Sequence, residues 1–161
     1  MTPNGGPPLW LDPLPSPRPS LTGTHQADVL VIGAGLCGTS AALHLAEQGA
    51  DVILVEARQV AMSATGRNAG FILQGTAERY DRAVGLMGRE RARRIHTWSL
   101  DNHDRIAACI QQHGIACGYR RGGSLQLASS EIEEAELRES ARLLTEDGFE
   151  ARLLGQAQLP E

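Results

Sequence analysis

The sequence predicts an α/β fold: a parallel βαβ unit, then a long helix, then part of an α+β region. Three observations predict it. The run Val29-Leu-Val-Ile32 passes straight into the spacing Gly33-x-Gly35-x-x-Gly38. A second apolar run, Val52-Ile-Leu-Val55, follows a helix-forming stretch and ends in Glu56. From Gly88 onward, apolar residues recur at three- and four-residue steps.

An uninterrupted apolar strand is the pattern of a parallel sheet covered on both faces, so Val29 to Ile32 reads as the first strand. Each glycine after it has a separate steric role. Gly33 permits the tight turn, Gly35 has no Cβ to hold off a pyrophosphate, and Gly38 lets the helix approach the strand. A pyrophosphate there meets unpaired N–H groups at the positive end of the helix. Thr39 to Gln48 supplies the helix, with Ala41, Ala42, Leu43, Leu45 and Ala46, and Gly49 stops it. Glu56 stands eighteen residues after Gly38, where a Rossmann-type turn places an acid. A carboxylate at that strand tip accepts hydrogen bonds from ribose hydroxyls and repels a 2′-phosphate.

The loop from Ala57 to Gly70 is dense in small residues and hydroxyls. Ser63 and Thr65 can donate to phosphate oxygens, Gly66 and Gly70 let backbone come close, and Arg67 offers a planar cationic fork.

Composition narrows the function. A chain of 161 residues with 42% apolar content suits a globular core, and a net charge of −4 gives no support for nucleic-acid binding. All fifteen basic residues are arginine, which removes any lysine nucleophile or Schiff base. Three scattered cysteines are too few for a disulfide framework and point to a reducing, cytoplasmic setting. Cys37 reads as a small apolar residue at the helix start. Cys109, His113 and Cys117 fall four residues apart, but Gly114 ends the helical spacing and no fourth ligand is near, so no metal site is assigned.

Residues 1–26 hold seven of the eight prolines and read as an irregular arm, with Trp10 and Leu11 as its anchor. No basic segment followed by an apolar stretch marks a signal peptide, and no run is long enough for a membrane span. Residues 27–87 form the nucleotide-binding portion; residues 88–161 form a helical segment with an incomplete second domain.

Within that second part, a helix runs from Gly88 to Gly114, with Ile95, Trp98, Asn102, Ile106 and Ile110 as an apolar stripe broken by one polar residue. Arg89, Arg91, Arg93 and Arg94, with Glu90 among them, read as a solvated face, and His96 and His103 as surface or rim residues. Residues 115–119 and 123–128 read as strands joined through Arg120-Arg-Gly-Gly123. Ser130 to Glu133 is a capping box that opens a helix with Leu137, Ala141 and Leu144 on one face and Gly148 as its stop. Phe149 to Leu154 reads as another strand, and Gly155 to Leu159 as the start of a helix.

Several of these segments together resemble a known family. They are the Gly-Ala-Gly-Leu-Cys-Gly turn, the strand ending in Glu56, the loop Gly66-Arg-Asn-Ala-Gly-Phe71, Trp10-Leu-Asp12 in the arm, and Tyr119-Arg-Arg-Gly-Gly-Ser-Leu-Gln-Leu-Ala128. They are similar to the amino-terminal portion of FAD-dependent amine and amino-acid oxidoreductases of the D-amino-acid oxidase superfamily, in the γ-glutamylputrescine oxidase-like branch. The resemblance covers nearly the whole chain. It implies a Rossmann-type βαβ FAD-binding unit with part of an α+β substrate domain, truncated: an amino-terminal fragment, inactive alone. It implies FAD as cofactor and a small-molecule amine or amino acid as substrate. Its C–N bond is oxidised by hydride transfer to flavin, and oxygen or another acceptor takes the electrons. It also implies roles for residues. Gly33, Ala34, Gly35, Leu36, Cys37 and Gly38 would cradle the pyrophosphate, and Glu56 would hold the ribose. Ala57 and Arg58 would lie toward the adenine, with Ser63, Thr65, Gly66, Arg67, Asn68 and Gly70 near the phosphates or flavin. No catalytic residue is assigned. The residues themselves leave open an NAD-dependent enzyme, which Glu56 equally permits, and a non-catalytic nucleotide-binding remnant.

Overall fold

The computed structural model of the protein describes residues 18–155 and residue 158, so the anchor expected at Trp10 and Leu11 and most of the helix expected from Gly155 lie outside the described residues. The chain divides into two compact units, one ending at Phe71 and the other beginning at Ile72.

The first unit is built from strand β1 (Val29–Ile32), helix α1 (Leu36–Glu47) and strand β2 (Val52–Val55). The strands pair in parallel, Val29 beside Val52 through Ile32 beside Val55, and α1 lies against both. Before the ladder, Asp28 N donates to Asp51 O at 2.9 Å; after it, Gly33 N donates to Val55 O at 2.7 Å. The expectation of a sheet covered on both faces is corrected. Val29 and Val31 are half-buried, whereas Leu30 is 58% and Ile32 81% exposed. The face bearing Leu30 and Ile32 has no covering layer among the described residues. The apolar run reported a capacity for two-sided burial, and α1 fills one side of it.

The second unit is helical: α2 (Tyr80–Met87), α3 (Arg89–Gln112) and α4 (Glu131–Glu146). Helix α2 was not visible in the sequence pattern. Gly88 alone joins it to α3, at φ 84° and ψ 150°, a backbone state that only glycine occupies without strain. Tyr80, Ala83, Ala92 and Leu143 form the core, with Val84, Met87, Leu144 and Phe149 packed on it. Small residues on α2 and α3 bring the two helices close, and burying Leu143 contributes about 2 kcal/mol.

The buried face of α3 follows the expected stripe only in part. Ala92, His96 and His103 are buried and Ser99, Ile106 and Ile110 half-buried, while Trp98 and Asn102 are exposed. Ile95, like Ile106 and Ile110, is half-buried as expected, but the fully buried line through Ala92, His96 and His103 runs beside the one that Trp98 and Asn102 had marked. His96 and His103 are corrected from surface to interior. The His96 ring lies 4.3 Å from that of Phe149 and 5.4 Å from that of Tyr80, so it serves as a flat packing element rather than a solvated cation. Burial pushes its imidazole below the ordinary histidine range. Trp98 finds partial cover outside, with the Arg94 guanidinium 5.1 Å above its ring.

Residues 115–128 form no strands, and Leu125 and Leu127 stay exposed. A lone hairpin is marginal without a third strand or a packed face, and the described residues supply neither. Phe149 likewise begins no strand; its ring completes the helical core. The cap of α4 forms as expected on one side, Ser130 Oγ accepting from Glu133 N at 3.2 Å. The return arm reaches one residue further, Glu133 Oε2 accepting from Ser129 N at 2.7 Å. Among the described residues no helix is long and apolar enough to cross a membrane.

Candidate functional site

The candidate site is the turn between β1 and α1 with the loop that follows β2. Gly33 has φ 98°, which turns the chain sharply off the strand. Gly38 is fixed by contact: a Cβ built there would stand 1.9 Å from Gly33 O, so the first turn of α1 rests on the backbone of the glycine turn itself. Ala34 between them is buried, and both of its backbone groups are used. Its N–H donates to Glu56 Oε2 at 2.8 Å, and its carbonyl accepts from Ala61 N at 3.0 Å.

At the helix start Gly35 is the N-cap and has no side chain to cap with. A residue from the other loop takes that role: Thr65 Oγ1 accepts the Leu36 N–H at 2.9 Å across 29 positions of sequence. An added Cβ at Gly35 would lie 3.3 Å from the same oxygen, a contact that the Thr65 side chain would have to ease. Thr39 turns its hydroxyl back to Gly35 O at 2.9 Å. The amides of Cys37 and Gly38, second and third in α1, have no acceptor within the helix by its geometry. They form the positive end of α1, where anions bind.

Glu56 lies at the tip of β2 and joins both halves of the site. One carboxylate oxygen accepts from Ala34 N and the other from Arg58 N at 3.1 Å. The Ala34 amide first, and the Arg58 amide after it, hold the Glu56 carboxyl below the usual carboxylate range. An ionised carboxylate offers about four lone-pair directions, so two remain for ligand hydroxyls.

The loop carries the remaining groups. Arg58 Nη2 donates to Ser63 Oγ at 2.8 Å. Thr65, Gly66 and Arg67 belong to a 3-10 turn, Ala64–Arg67. Asn68 closes it, donating to Thr65 O at 2.6 Å and accepting from Gly70 N at 2.8 Å, so its polar atoms shape the loop. Arg67 is exposed and forms no ion pair among the described residues; Ala57 and Cys37 are also exposed. The structure thus brings the glycine turn, Glu56, Arg58, Ser63 and Thr65 into one hydrogen-bonded group. Arg67, Asn68 and Gly70 follow it on the same loop. Sequence reasoning missed Ala61, a non-glycine residue at φ 61° whose amide reaches the Ala34 carbonyl. Nothing in an alanine announces a left-handed backbone.

The family model described as FAD dependent oxidoreductase matches residues 28–161. The chain belongs to this family of FAD dependent oxidoreductases. Among curated relatives, the family member is 39% identical over 104 residues to the "Probable oxidoreductase OrdL" of Haemophilus influenzae, a match covering 65% of this chain and 24% of that protein. It is 34% identical over 124 residues to the "Gamma-glutamylputrescine oxidoreductase" of Escherichia coli, covering 77% of this chain and 29% of that protein. The matched part therefore spans about a quarter of the length of these relatives. No solved structure matches.

Proposed function

We propose that the unit ending at Phe71 binds FAD, and that the activity it serves is oxidation of the C–N bond of an amine or amino acid. The observation that carries this reading is the joining of Ala34, Leu36, Glu56 and Thr65 by two hydrogen bonds, which ties the glycine loop and the loop after β2 together. The donor set fits a dinucleotide. The Cys37 and Gly38 amides receive the pyrophosphate, and Thr65, while accepting from Leu36 N, donates its own hydrogen to a phosphate oxygen. Arg67 balances phosphate charge. Glu56 accepts from the ribose hydroxyls through the lone pairs left over from Ala34 and Arg58. Ala57 and Arg58 face the adenine end, and Gly66, Asn68 and Gly70 shape the loop on the phosphate side.

When bound, FAD supplies the two-electron acceptor that amine oxidation needs. The chain's own residues orient it and keep its charge neutralised. The name of the Escherichia coli relative supports an amine as the substrate class. The three unpaired cysteines support a reducing, cytoplasmic setting.

The test is a titration of the purified chain with FAD, followed by flavin fluorescence, with NAD and NADP in parallel thermal-shift measurements. FAD binding that weakens at least about tenfold in Glu56→Ala is the expected result, the scale of a lost charged hydrogen bond. Stabilisation by NAD with no response to FAD would overturn the reading.

A further inference from the structure

We infer that Ser63 is a positioning residue that holds the Arg58 guanidinium at the adenine end of the site, and so sets adenosine affinity without itself touching the phosphates. The inference rests on the FAD-binding reading above and deepens it.

The first observation is a hydroxyl in an unexpected use. Ser63 is the N-cap of the 3-10 turn Ala64–Arg67, yet its side chain makes no capping bond. Serine at an N-cap ordinarily accepts from the amide two or three positions ahead. Here Ser63 Oγ accepts from Arg58 Nη2 at 2.8 Å instead. The second observation is that Arg58 is held at both ends. Its amide donates to Glu56 Oε1 at 3.1 Å and its guanidinium to Ser63. Arg58 is exposed and forms no ion pair among the described residues, so without Ser63 its long side chain would sample many rotamers.

Fixing that side chain in advance has a chemical use. A guanidinium is planar and stacks on aromatic faces. On the proposed reading Glu56 takes the adenosine ribose, and Arg58, whose amide is bonded to the same carboxylate at 3.1 Å, stands beside the sugar that carries the base. Held by Ser63, Arg58 presents a flat cation to a flat base, and the ordering cost is met before the ligand arrives. This separates two serine/threonine roles that the sequence left merged: Thr65 caps α1 and faces phosphate, and Ser63 serves Arg58.

The experiment compares Ser63→Ala, Ser63→Thr, Arg58→Ala and the double Ser63→Ala/Arg58→Ala in the full chain. FAD, ADP and inorganic pyrophosphate are the probes, titrated by calorimetry. Ser63→Ala is expected to weaken FAD and ADP by about three- to tenfold, the scale of one hydrogen bond, and to leave pyrophosphate unchanged. Ser63→Thr restores the affinity, and the double variant loses no more than Arg58→Ala alone. Equal losses for pyrophosphate, or additive losses in the double variant, would overturn the inference, as would an unchanged ADP affinity. If ADP behaves as expected while FAD fails to bind even the wild-type chain, the FAD reading fails and the Ser63 assignment survives on its own.

Discussion

The unit ending at Phe71 and the unit beginning at Ile72 are organised by different physics. In the first, Ala34 is the one buried hydrophobic residue among those described, and the arrangement is set by backbone: a positive φ at Gly33, the contact of Gly38 on Gly33 O, and the amide bonds to Glu56 and Thr65. In the second, side chains interlock. Tyr80, Ala83, Ala92, His96 and Leu143 are buried together, and Tyr80 donates to Asp147 at 2.6 Å while Arg89 reaches Asp147 at 2.9 Å. On the proposed reading the first unit keeps its amides and carboxylate accessible to a polar ligand, and so forgoes the apolar burial that stabilises the second.

That contrast can be broken most strongly at Gly38. Gly38→Ala puts a methyl group 1.9 Å from a carbonyl oxygen that cannot move without undoing the turn. A loss of about 3 kcal/mol or more is expected, seen as proteolysis within residues 27–71 while the helices of the second unit persist. Survival of the first unit in this variant would show that the turn is softer than its contacts imply.

Tyr80→Phe is the corresponding test of the second unit. It keeps the ring among His96 and Phe149 and removes only the hydroxyl donated to Asp147. A loss of about 2 kcal/mol in urea unfolding followed by helix signal is expected, with nucleotide affinity unchanged. Burial, then the bond to Asp147, push the Tyr80 phenol well above its ordinary value. On Asp147, burial acts the other way, but Tyr80 and Arg89 prevail and hold its carboxyl below the usual range.

His96 gives a smaller, pH-dependent effect. Its folded-state imidazole is lowered by burial, so the unfolded chain takes up the proton first as pH falls. Its contribution is complete above the unfolded value, about 6.5, and declines below it. The lowered carboxyls of Asp81, Glu146 and Asp147 act in a separate window, their stabilisation disappearing only at more acidic pH. Melting temperature is expected to fall between pH 7.5 and 5.5 in the wild type and to fall less in His96→Leu; equal slopes would remove His96 as the cause.

The smallest expected effect is on the surface of α4. Arg138 pairs with Glu134 one turn away, both exposed. Arg138→Ala is expected to change stability by less than about 0.5 kcal/mol. A larger loss in thermal unfolding would mean that surface charge, and not the Tyr80 core, supports this unit.

How much of this was legible in the sequence follows from range. The glycine spacing, Glu56 at a strand tip and the Ser130 cap are local rules, and they appear at the residues where the sequence puts them. The partnership of Thr65 with Leu36, the clasp of Ser63 on Arg58 and the left-handed Ala61 depend on the path of a loop, which no local preference specifies. A scale of polarity marks His96 and His103 for the surface, and it does not register the ring that His96 packs on Tyr80 and Phe149. The glycine-bearing connection Arg120 to Gly123 pointed to strands on either side of it, but a turn signal supplies neither a third strand nor a packed face.

The open side of the β1–β2 sheet has a consequence during synthesis. β1 and β2 lie early in the chain, so they leave the ribosome while the residues from Ile72 onward are still being made. At about 5–20 residues per second that interval lasts several seconds or more. Throughout it Leu30 and Ile32 face water, on the side of the sheet that α1 leaves open. Yield of folded protein should therefore depend on how fast translation proceeds and on how much chaperone is at hand to hold that surface.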